Sequence, residues 1–279
     1  MPKFRLSLLA FPLLLSACSA GNEFVDEMVE DTSCAFLGCV DSATLAPSEI
    51  SPNYVVTQEN GFVRVHANLG KGREFLTQVR PSNGDHLSLS SGGLSSNLSD
   101  TDGLRMRYVG ELREASEQPQ VSVNFIRGSE VHASSVTLPK PLSVLSPASP
   151  SNLGRSTGTL WVRLQHDASL IPGLSVDLNC SRSDGSSFSG NTLVNSKLDA
   201  AAPGGAAMAV STFDLDQALN LYGQGLDPKN PNKSLVQRCE LDFIWLVSVS
   251  GQVAPTLSKF GGIRAERRAK HQISYDARL

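Results

Sequence analysis

From Cys239 to Val249 the chain alternates without a break. Cys239, Leu241, Phe243, Trp245, Val247 and Val249 fall on one side, and Glu240, Asp242 and Ser248 are among the residues on the other. A repeat of two is the geometry of a strand, and no helix collects these positions on one face. The same period recurs along the chain. Val63, Val65, Ala67 and Leu69 share a face, while Arg64, His66 and Asn68 share the opposite one. Leu104 to Tyr108 and Val121 to Phe125 alternate as well. Leu160, Val162 and Leu164 interleave with Trp161, Arg163 and Gln165, and Leu174, Val176, Leu178 and Cys180 form another stripe. Turn-forming clusters, Pro81 to Gly84 and Ser99 to Gly103, separate the early runs. Short half-buried strands with frequent turns predict an all-β chain built from antiparallel sandwiches.

A proline-rich run over 139–154 divides the alternating segments, because proline favours extended chain and cannot donate to a central ladder. The expected organisation is two tandem β-sandwich domains of Ig-like architecture, 48–138 and 155–279, joined by that linker, on which Leu142, Val144 and Leu145 offer packing surface. One short helix interrupts the second. Asp214 and Gln217 have the form of a capping box, Leu215, Ala218, Leu219 and Tyr222 follow at helical spacing, and Gly223 offers a stop. Ile273 to Tyr275 ends a last strand. An antibody-type domain would place a tryptophan soon after its first cysteine. Here Trp161 precedes Cys180 and Trp245 lies on the strand of Cys239, so only the general sandwich architecture is expected.

The N-terminus carries Lys3 and Arg5 ahead of an apolar-biased run, Leu6 to Leu15, interrupted by Pro12. That run is too short to cross a bilayer, which takes about 20 helical residues. Its order is that of an export signal. Leu15-Ser16-Ala17-Cys18 resembles the lipobox of bacterial lipoproteins. The resemblance covers residues 1–21 and implies removal of a signal peptide, residues 1–17, diacylglycerol on the Cys18 sulfur and an acyl chain such as palmitate on its new amine. Ser19, in place of an aspartate, implies sorting to the outer membrane, at its periplasmic face or the cell surface. Two or more chains anchor stably where one does not. Residues 18–47, with Glu23, Asp26, Glu27, Glu30 and Asp31, read as an acidic tether.

Cleavage at this point removes Lys3 and Arg5, leaving 22 basic residues against 27 acidic ones, a net charge of about −5. This disfavours nucleic acid as a partner. Besides Cys18 there are Cys34, Cys39, Cys180 and Cys239, an even number in an oxidising compartment. Three pairings are formally open. Cys34–Cys39 closes a small loop near the tether, and Cys180–Cys239 joins two apolar stripes, as a bridge between packed sheets requires. Zinc held by all four would need close ligand pairs on both sides, and only Cys34 and Cys39 are close.

Catalytic signals are sparse. His66, His86, His132, His166 and His271 are scattered without metal-ligand spacing and read as surface residues, and no G-x-S-x-G elbow accompanies the serine-rich turns. Asp100 and Asp102 with Gly103 begin a calcium loop that the following residues do not complete, so an Asx-type turn explains them as well. A glycosidase needs facing carboxylates, and a sugar-binding face needs exposed aromatics. Arg264, Arg267, Arg268 and Lys270 form the strongest basic cluster, read either as a contact patch or as an edge strand blunted by charge. The expectation is a non-enzymatic, lipid-anchored envelope protein without metal or cofactor, held to the membrane by its lipid and binding an envelope protein partner. A tethered hydrolase or carbohydrate-binding protein acting on envelope polysaccharide is the alternative.

Overall fold

A computed structural model describes residues 38–226 and 235–279. The expected signal peptide, Cys18, Cys34 and most of the tether lie outside the described residues. In the first half the strands are β1 (Cys39–Asp41), β2 (Ile50–Glu59), β3 (Phe62–Lys71), β4 (Glu74–Arg80), β5 (His86–Ser91), β6 (Leu94–Asn97), β7 (Ser99–Asp100), β8 (Tyr108–Arg113), β9 (Gln120–Arg127) and β10 (Glu130–Thr137). In the second half come β11 (Ser143–Ser146), β12 (Ser151–Gly154), β13 (Thr159–Gln165), β14 (Gly173–Arg182), β15 (Ser187–Leu193), β16 (Lys197–Asp199) and β17 (Ala207–Ser211). Helix α1 (Thr212–Gly225) and the long strands β18 (Val236–Ser250) and β19 (Gly262–Asp276) follow.

The chain is all-β with one α-helix among the described residues, as the alternation predicts. One large sheet runs β1-β4-β3-β2-β19-β18-β14-β15, with β7, β8 and β12 attached beside that path. Two smaller sheets, β10-β9-β5-β6 and β11-β13-β17-β16, supply the opposing layers. One hydrophobic core, with Tyr54, Val65, Leu89 and Phe125, lies in the first half, and a second, with Val162, Val176, Leu219 and Trp245, lies in the second. The hairpin β18–β19 serves both. Ile263 and Ala265 belong to the first core, while Phe243, Ile273 and Tyr275 belong to the second. The large sheet therefore continues across residues 139–154, which contribute β11 and β12. Leu142 and Val144 pack with the second core, and Leu145 is exposed.

The end of the expected tether is also packed on the body. β1 pairs in parallel with β4. Arg127 donates through Nη1 to the Leu45 carbonyl at 2.8 Å and through Nη2 to the Ser42 carbonyl at 2.6 Å, and its guanidinium is paired with Asp85.

Four expectations change. Cys180 and Cys239 do form a disulfide, but they sit directly opposite one another on the adjacent strands β14 and β18. The bond staples neighbours within one sheet and does not cross between sheets. Cys39 is also disulfide-bonded. Helix α1 starts three residues earlier than expected, because Ser211 is its N-cap and accepts from the Asp214 amide at 3.2 Å. The helix also continues past Gly223. That glycine is needed for close approach: a Cβ there would lie 2.8 Å from the Phe188 ring, and its carbonyl accepts from Arg182 at 2.8 Å. Finally, Leu104–Met106 form no strand. The carboxylates of Asp100 and Asp102 accept from the amides of Leu104, Arg105 and Met106 and hold them in a turn.

Candidate binding face

The inward faces of β2, β3 and the first part of β19 fill the first core, so their alternate residues line the outer face of the large sheet. Pairing registers place these residues in rows across the strands. Asn68 lies opposite Asn53, which lies opposite Gly262. His66 lies opposite Val55, which lies opposite Arg264. Arg64 lies between Thr57 and Glu111. Two adjoining clefts occupy this surface. The first, of about 560 Å³, is lined by Arg64, His66, Glu111, Arg264 and Arg268, with Phe62 at its end. The second, of about 480 Å³, is lined by Asn53, Asn68, Gln78, Arg73 and Glu74, with Phe260 at its rim.

The charges are held in place by their neighbours. Arg64 reaches Glu111 Oε2 through Nε at 3.0 Å and through Nη2 at 2.6 Å. Glu266 accepts from Arg264 Nε at 2.7 Å and from Arg268 Nη2 at 2.8 Å. Burial works to raise the Glu266 carboxyl, but the two arginine hydrogen bonds outweigh it and hold the group below its ordinary value. Lys270 pairs with Asp242 at 2.7 Å. Cations and carboxylates thus interleave along this part of the face.

The basic cluster read from sequence is divided by the strand's alternation. Arg264, Arg268 and Lys270 point outward. Arg267 points inward and is buried, donating to the Pro139 carbonyl at 3.1 Å and to the Glu117 carbonyl at 2.5 Å. The edge-strand explanation fails, because β19 is internal. β18 pairs along one side, and β2 and β12 pair along the other.

The histidines are not uniformly surface residues. His66 lines the first cleft, and His86 is exposed with Nδ1 3.1 Å from the Gly84 carbonyl. His166 is half-buried. His132 is buried against Phe125, with Nδ1 2.7 Å from Thr256 Oγ1. His271 is fully buried on the inward side of β19, with Nε2 3.2 Å from Ser151 Oγ. Burial lowers its pKa, opposed by a backbone hydrogen bond at Ala148. No group of three or more potential metal ligands occurs among the described residues.

Phe62, Phe260, Asn53 and Gln78 were not singled out in the sequence. The parity of β3 gives the direction of Asn68, but only the parallel pairing of β2 with β19, more than 200 residues apart, joins it to Phe260. No family model matches the chain, and no curated protein does.

Proposed function

We propose that the protein is a non-enzymatic binding module of the bacterial cell envelope, anchored through lipid on Cys18 and working through the outer face of its large sheet. The observation that carries this reading is the face itself, a broad open surface of ordered polar side chains bounded by two exposed phenylalanines. Open, shallow clefts of this kind suit recognition of something larger than a metabolite, since small-molecule sites enclose most of their ligand. The lipobox resemblance supports the anchor and a place at the outer membrane. The tether joins the same sheet through β1.

The test combines two readouts on the intact protein in cells. Acyl label is expected on the mature chain and lost in Cys18→Ala. A photoreactive residue at His66 is expected to give adducts that one at Phe213, exposed on α1, does not. Missing acyl label removes the anchor. Equal adducts at both positions remove the binding face. The alternative, action on envelope polysaccharide, is favoured by the exposed aromatic rings alone.

A further inference from the structure

The geometry points to a ligand for this face: we propose that it binds an extended, polyhydroxylated glycan chain lying along β2 from Phe62 to Phe260. The proposal rests on the reading of the outer face as a binding surface and names its ligand class.

Residues 53 to 59 of β2 run the length of the groove, roughly 20 Å at the rise of a strand, which is several sugar rings. Each end carries an exposed ring, with Phe62 41% and Phe260 47% accessible. The C–H face of a pyranose carries partial positive charge and is attracted to the negative face of an aromatic ring. Phe260 is held outward by a hydrogen-bonded loop. The Ser258 amide donates to the Ile50 carbonyl at 2.9 Å, the Gly261 amide donates to the Ser258 carbonyl at 3.1 Å, and Ser258 is buried. Arg73 stands over this ring at 4.6 Å and Lys259 stands 5.6 Å from its centroid.

Between the rings the groove offers hydroxyl-binding groups. Asn53, Asn68 and Gln78 have side-chain amides that make no hydrogen bond to other described residues, and each can donate and accept. The floor beside Phe260 is kept low by Gly262, whose added Cβ would meet nothing within 4 Å. That open volume is where a ring stacked on Phe260 would lie.

Other classes fit less well. An extended peptide adding to a sheet needs a free strand edge, yet β2, β3 and β19 are paired on both sides here. A phosphate backbone needs a net positive field along its length, and the three arginines of the first cleft are interleaved with Glu59, Glu111 and Glu266. A lipid surface needs a continuous apolar patch, and the two phenylalanines stand at opposite ends.

The test is co-sedimentation of the full-length protein, in detergent micelles, with purified peptidoglycan sacculi as probe, together with the His66 photocrosslinker in cells. The wild type is expected to sediment with sacculi. Phe260→Ala and Asn68→Ala are each expected to weaken binding about tenfold, with unchanged melting temperatures. Phe213→Ala, away from the face, should bind as the wild type. No sedimentation of the wild type, or equal binding by all variants, overturns the glycan. In that event, a protein adduct at His66 would leave the binding face standing with a different ligand, and no adduct would remove the face as well.

Discussion

Arg267 is the charged member of the inward stripe of β19, at the place where the two cores part. It lies between Ala265, which belongs to the first core, and Ala269, which packs against the second. Its guanidinium binds carbonyls from two separate segments, Glu117 before β9 and Pro139 after β10. Replacing it with methionine keeps the packed stem but leaves both carbonyls without this donor. The Pro139 carbonyl is left unpaired in a buried place, at about 1–3 kcal/mol, whereas Glu117 is exposed and its carbonyl can turn to water. Relief of the buried guanidinium's own desolvation offsets part of that, so we expect a net loss of about 1 kcal/mol. For a body of this size, that is a fall in melting temperature of roughly 2–4 °C. The assay is equilibrium urea unfolding, followed by far-ultraviolet circular dichroism and by tryptophan fluorescence, to which fully buried Trp245 of the second core contributes. In the wild type the two probes should coincide, because the cores share β18–β19. In Arg267→Met the midpoint should drop and the probes should separate, and Arg267→Lys should recover part of the loss. A methionine variant within about 0.5 kcal/mol of wild type, or a lysine variant less stable than the methionine one, would refute the seam.

Removing the disulfide with Cys180→Ala and Cys239→Ala, for a sequence separation of 59 residues, should cost about 4 kcal/mol in the chain-entropy model. Circular dichroism of the folded state should not change, since the bond joins strands that already pair. His271 gives a pH dependence of defined sign. Its folded pKa lies below the ordinary 6.5, so the unfolded chain takes up the proton first. The stabilisation is complete above 6.5 and is lost as pH falls below it. Denaturation measured from about pH 7 to about pH 5 should show a shallower slope in His271→Gln. Two adjacent glycines should behave differently in melting experiments. An alanine Cβ at Gly261 would lie 2.2 Å from Pro52 Cδ, an overpacking worth about 1–3 kcal/mol. Gly262→Ala should melt as the wild type and weaken binding to sacculi.

Strands were legible wherever one face is apolar and the other is wet. β9, β13, β14 and β18 follow their sequence stripes, because alternation and burial are the same signal. Competition from side chains defeated that signal at Leu104–Tyr108, where two aspartates take the amides a strand would use. The helix was legible but shifted. Asp214 and Ser211 both suit an N-cap, and the chain leaving β17 makes Ser211 the cap. The outer face was the least legible element. Its residues come from β2, β3, β4, β8 and β19, and the parallel contact of β2 with β19 leaves no local trace. Phe260 in a loop looks like any exposed apolar residue until Gly262 and Asn53 are placed beside it.

The charge run on β19 then has a physical explanation that an edge strand does not supply. A strand of 15 residues is far longer than one sandwich layer usually needs. Its outward positions lie on the solvent side, where Arg264, Arg268 and Lys270 are exposed and the buried Glu266 carboxylate is held between Arg264 and Arg268. Its inward positions must be apolar over each core but not between them. At that seam the linker returns from the first half to the second, bringing backbone carbonyls that no strand partner satisfies. Arg267 supplies donors there. A few residues on, the Gln272 amide donates to Ser149 Oγ and His271 meets Ser151. Polar residues inside an alternating stripe therefore mark where one long ribbon passes from one core to the next. Because the ribbon is shared, the outer face is a single wall continuous with the sheet onto which β1 docks. A ligand held between Phe62 and Phe260 would load the same sheet that the tether holds.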